Sequence, residues 1–142
     1  MGQAETIAAL NRLLRVLSRS LPVYLEGTAP WVRPGNERLR DALRHVARDE
    51  QMYAGRVAEA IYACGGRPDP GPVPVRFTDT HDLGVDFLCR LVLEHQRADV
   101  EAIRRSVEAL AGDPPLYPLA REILGNAVGH LETLEEETRG EG

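Results

Sequence analysis

Apolar positions along the chain recur with a helical period in four segments, and no segment shows the sustained alternation of a half-buried strand. Leu10, Leu13, Leu14, Leu17, Leu21 and Tyr24 form one stripe of a first helix predicted over about residues 3–29. Pro22 falls inside it and, having no backbone donor, should kink the helix or end it early. Gly27, Pro30, Pro34 and Gly35 mark the following turn. A second helix is predicted over about residues 36–64, capped by Asn36 and striped by Leu39, Leu43, Val46, Glu50, Ala54, Val57 and Ile61. Gly65, Gly66 and Pro68 stop it. A third helix, about residues 81–111, starts near Asp79 or Thr80 and carries Phe87, Leu88, Leu91, Ala98 and Ala102. A fourth, about residues 114–138, carries Leu119, Ile123, Ala127, Leu131 and Leu134.

The connections decide the topology. The first and third are short, so each joins an antiparallel pair of helices. The second, residues 67–80, holds four prolines and cannot be helical. Stretched at about 3.3 Å per residue it reaches roughly 45 Å, enough to run the length of a helix of about 40 Å. The expected fold is all-α: one domain over residues 1–142, a four-helix bundle of two hairpins joined by a long crossover.

Composition narrows the function. The net charge of −5 leaves no basic stripe for a nucleic-acid partner. No apolar run is long enough to span a bilayer, and the first residues lack the basic and apolar regions of a signal peptide, so a cytoplasmic protein is expected. Cys64 and Cys89 form no CxxC pair, which argues against a thiolate zinc site and for two reduced thiols. Phosphate-loop and dinucleotide-binding motifs are missing.

Polar groups interrupt the apolar stripes on three helices. Glu50 lies four residues from both Val46 and Ala54, Glu94 lies between Leu91 and Ala98, and His130 lies between Ala127 and Leu134. A buried carboxylate is costly unless paired, protonated or metal-bound. Carboxylates and imidazoles on facing helices of a bundle are the material of dinuclear metal sites, in which two helices each give a Glu and two others each give a Glu-x-x-His pair. Here Glu50 is followed at the third position by Tyr53, and His130 is preceded by Ala127.

With these blocks in order, the chain resembles the bacterioferritin branch of the ferritin-like superfamily over roughly residues 8–137. The resemblance rests on LNRLLRVLSRSLPVY, DEQMYAGRVAEAIYACGGRP, LVLEHQRADVEAIRRSV and ILGNAVGHLETLEEE. It implies a ferritin-like bundle and a set of metal positions, of which three in six keep their residue type. The bridging carboxylates fall on Glu50 and Glu94, and one histidine falls on His130. The other histidine falls on Tyr53, and the terminal glutamates fall on Leu17 and Ala127. The haem-ligating methionine falls on Gln51, so haem is not expected. His45 and Asp49 match an iron-handling pair on the inner surface of the family's cages. The segment after His130 is too short for the extra helix of the 24-subunit cage form, so a homodimer is expected instead.

Two readings follow. In the first, the dinuclear iron centre is degraded, without ferroxidase activity, and the fold is retained as a dimeric scaffold or binding protein; Glu50, Glu94, Tyr53 and His130 then form a buried hydrogen-bonded network. In the second, a mononuclear site for iron or another divalent metal persists on Glu50, Glu94 and His130, with Tyr53 or His95 adding a ligand. A groove at the kinked first helix, near Trp31, is a third possibility.

Overall fold

The computed structural model describes the backbone of residues 2–28, 37–72 and 85–140, and the side chains of 2–25, 37–72 and 89–139. Five helices lie among the described residues: α1 (Gln3–Ser18), α2 (Leu21–Thr28), α3 (Glu37–Ala63), α4 (Val85–Ala109) and α5 (Tyr117–Gly140). Together α1 and α2 occupy the place of the predicted first helix. The chain breaks at Arg19 and Ser20, and Pro22 sits in the first turn of α2, where a missing N–H costs no hydrogen bond. The Ser20 hydroxyl caps the new helix by accepting the Val23 N–H at 3.2 Å.

The long helix α3 keeps the predicted stripe: Leu39, Leu43, Val46, Glu50, Val57 and Ile61 are all buried. At its end Gly65 takes a positive φ of 81°. That turn lets Gly66 N–H reach the Ile61 carbonyl and Gly65 N–H reach the Tyr62 carbonyl, both at 2.9 Å. Beyond it the crossover starts down the flank of α1. Asn11 Nδ2 donates to the Arg67 carbonyl, Asn11 Oδ1 accepts from Asp69 N–H, and Arg15 pairs with Asp69 at 2.7 Å. The expected capping residues Asn36, Asp79 and Thr80, the rest of the crossover, Trp31, and the side chains of Phe87 and Leu88 lie outside the described residues.

Helix α4 corrects the predicted stripe. Its buried positions are Cys89, Val92, Leu93, Gln96, Val100, Ile103, Ser106 and Val107, whereas Glu94 and Ala98 are exposed. The physical reason is side-chain volume. A stripe through Ala98 and Ala102 would bury two alanines and leave Val100, Ile103 and Val107 in water, and each large aliphatic side chain contributes about 1.5–3 kcal/mol when buried.

The helices pack α1 against α3 and α4, α3 against α5, α4 against α5, and α2 against α3 and α4. Their apolar side chains form two clusters. One holds Leu10, Leu13, Leu17, Val57, Ile103 and Ile123; the other holds Leu21, Leu25, Leu43, Val46, Val92 and Leu134. Between them, α3, α4, α5 and the start of α2 present polar groups.

Because Gly65 holds the left-handed turn that ends α3, Gly65→Ala is expected to lower the unfolding free energy by about 1–2 kcal/mol. Urea denaturation of both proteins reads this directly. Equal midpoints would show that the turn relaxes at no cost.

Candidate metal centre

The layer between the two apolar clusters contains Ser20 at the start of α2, Asp49, Glu50 and Tyr53 on α3, Gln96 and Asp99 on α4, and Asn126 and His130 on α5. Glu50 is its most buried carboxyl group, 8 % exposed. The Ser20 hydroxyl is hydrogen-bonded to it, while Glu50 Oε1 is buried without a protein partner. Burial above all, then the negative charge of Asp99 and to a lesser extent that of Asp49, pushes the Glu50 carboxyl well above the usual carboxylate range. The protonated form is thereby favoured. Beside it lies a space of about 10 Å³, lined by Leu17, Glu50, Tyr53, Asp99, Ala127 and His130 among others. That is the room needed by a single water.

His130 and Tyr53 are each engaged elsewhere. His130 Nε2 lies 2.7 Å from Asp49 Oδ2, and Asn126 Nδ2 donates to the same oxygen at 2.8 Å. Burial raises the Asp49 pKa, but the hydrogen bonds from Asn126 and His130, together with the charges of His130 and His45, outweigh it and leave the group lowered. An ionised Asp49 only accepts, so Nε2 carries the proton in this pair. Tyr53 donates its hydroxyl to Glu122 Oε2 at 2.8 Å. Arg56 reaches the same oxygen at 2.7 Å, and its guanidinium lies 5.6 Å from the centre of the Tyr53 ring. Burial, followed by the hydrogen bond to Glu122 and its charge, pushes the Tyr53 phenol up to about 12.

The structure thus brings together Glu50, Tyr53 and His130 of the predicted set and leaves Glu94 on the outer surface. His95 is half-buried beside it on α4. Nor do His45 and Asp49 form a matched pair of surface ligands: exposed His45 bonds through Nδ1 to the Asp41 carbonyl, while Asp49 serves His130. Asp99, Gln96, Asn126 and Glu122 were not foreseen. A signal existed for α4, since Gln96 and Asp99 stand one turn apart in the same stripe as Val92, Val100 and Ile103.

A dinuclear metal group does not fit this donor set. Leu17 and Ala127 offer no donor, Nε2 of His130 is bonded to Asp49, and the Tyr53 hydroxyl is bonded to Glu122. Among the described residues, no three His, Cys, Asp or Glu side chains converge closely enough to hold a metal ion.

Comparison with known families places this arrangement in context. Residues 7–139 match the ferritin-like domain. The chain belongs to the ferritin-like domain family. A solved structure described as a ferritin-like, diiron-carboxylate protein from Bacillus anthracis str. Ames superposes with a TM-score of 0.78 at 20 % identity, covering 96 % of this chain and 98 % of that one. At that identity the likeness shows the fold, an all-α helical bundle of the ferritin-like type. No curated protein sequence matches the chain significantly. Among the described residues, no helix of this ferritin-like domain is long and apolar enough to cross a membrane.

The buried carboxyl sets a pH dependence. An unfolded Glu50 ionises near its usual value of 4.5, while the folded group holds its proton to higher pH. The folded state therefore binds more protons above 4.5, and its stability falls as pH rises until the folded group also ionises. Asp49 acts oppositely, its stabilisation being lost only as pH falls below its usual 3.8. Glu50→Gln is expected to flatten the decline above pH 4.5 and to be the more stable protein at the alkaline end of that decline. Denaturant midpoints across that range test this; a variant that is less stable throughout would mean that Glu50 works as a charge.

Proposed function

We propose that this ferritin-like protein has lost the dinuclear iron centre of its bacterioferritin-like relatives, has no ferroxidase activity, and uses the bundle as a metal-free scaffold that pairs with a second copy. One observation carries the reading: His130, Tyr53 and Glu50 are each hydrogen-bonded to a different side chain and do not converge on one point, although Glu50 Oε1 has no protein partner. His130 is bound to Asp49, Tyr53 to Glu122, and Glu50 to Ser20. The apolar Leu17 and Ala127 stand where the resemblance implies terminal carboxylate ligands; Leu17 belongs to the packed apolar cluster and Ala127 packs against it. Half a ligand set rarely keeps metal affinity, because each lost donor removes part of the binding free energy that organises the rest.

The test is metal content by mass spectrometry on protein produced with iron, manganese and zinc present, together with ferrous oxidation kinetics. The expected result is well under one ion per chain and no acceleration of ferrous oxidation. About one ion per chain that survives chelator, and is lost in Glu50→Gln, would replace this reading with a mononuclear metal site on Glu50 and His130.

A further inference from the structure

We propose that the polar layer holds one resident water molecule, which joins the Glu50 carboxyl on α3 to the Asp99 carboxylate on α4 across the core of the bundle. The inference rests on the metal-free reading above and names the ligand of that same site. Its first observation is a buried oxygen with no protein group to bond. Glu50 is 8 % exposed, and its Oε1 has no hydrogen-bond partner. An unmatched polar atom at that depth costs about 1–3 kcal/mol. The second observation is room: the space beside Glu50, about 10 Å³, admits a single water.

The neighbours select the second anchor. Ser20 is not available to Oε1, because its hydroxyl is bonded to the other Glu50 oxygen and accepts the Val23 N–H. On α5, His130 Nε2 and Asn126 Nδ2 are both bonded to Asp49, and on α3 the Tyr53 hydroxyl is bonded to Glu122. Asp99 lines the same space from α4. A carboxylate offers about four lone-pair sites, so the 3.4 Å contact from Gln96 Nε2 leaves Asp99 able to accept from a water as well. Helices α1 and α5 each pack against both α3 and α4, which sets α3 and α4 at opposite corners of the bundle. The water thus ties together two helices that face each other across the core.

Water also fits the chemistry of Oε1 better than a cation does. That oxygen accepts a hydrogen bond when the carboxyl is ionised and donates one when it carries the carboxyl proton. A water answers both cases and a cation only the first. The burial that favours a neutral Glu50 therefore favours a neutral ligand beside it.

The experiment is a crystal structure of the full chain at a resolution that shows ordered solvent, with water-oxygen magnetic relaxation dispersion in solution on the wild type, Glu50→Gln and Glu50→Leu. The expected structure has one water within hydrogen-bond distance of Glu50 Oε1 and of an Asp99 carboxylate oxygen. In solution, one long-lived water is expected to be lost in Glu50→Leu, whose side chain offers no hydrogen bond, and kept in Glu50→Gln. Circular dichroism separates a lost site from a lost fold, and the wild-type density decides alone if the leucine variant does not fold. An empty space, a water that bonds Glu50 but not Asp99, or an unchanged count of long-lived waters in a folded Glu50→Leu overturns the proposal. So does a peak that strengthens when sodium is replaced by rubidium, which assigns a monovalent cation instead. These outcomes leave the metal-free reading standing, whereas a peak with the anomalous scattering of iron, manganese or zinc overturns both.

Discussion

The constraint on which the structure turns is the burial of one carboxyl group in the middle of a helical bundle. Taking Glu50 out of water costs several kcal/mol if it stays charged. The surroundings resolve this by favouring its neutral form and by bringing the Ser20 hydroxyl to it. Ser20 is available because the first helix breaks there. A continuous helix would occupy the serine backbone groups internally and carry no cap at that point. The same hydroxyl accepts the Val23 N–H, so the break, the cap of α2 and the hydrogen bond to Glu50 are one local arrangement. Around it Asp49 with His130 and Tyr53 with Glu122 tie α3 to α5 at two heights.

This polar layer divides the apolar interior into two clusters and limits how the helices can slide. An apolar stripe alone tolerates several registers of similar energy, whereas a buried hydrogen bond is lost by a shift of one turn. The layer therefore contributes specificity even where its net stabilisation is small.

Most of the fold was legible in the sequence because the α1, α3 and α5 stripes are dense in leucine and isoleucine. The Gly65–Gly66 stop was equally plain, since few residues accept a left-handed backbone. Helix α4 was misread for a definable reason: Leu91, Glu94, Ala98 and Ala102 make a regular pattern, but a pattern of small side chains. The competing stripe through Val92, Gln96, Val100, Ile103 and Val107 buries far more volume, and volume decided the rotation. That rotation alone moves Glu94 to the surface and Asp99 inward. In the site, Glu50, Tyr53 and His130 were legible because each interrupts an apolar stripe. Their partners were not, since pairing across helices 69 to 81 residues apart in the chain depends on axial register, which periodicity does not encode.

The central proposal is that this layer works without a bound metal. The most direct measurement is the thermal unfolding midpoint of the chelator-treated protein, alone and with an excess of ferrous, manganous or zinc ion. Any ion held by the folded layer and not by the unfolded chain must raise that midpoint. The account predicts the same midpoint in all conditions. A rise of several degrees that vanishes in His130→Ala would contradict it.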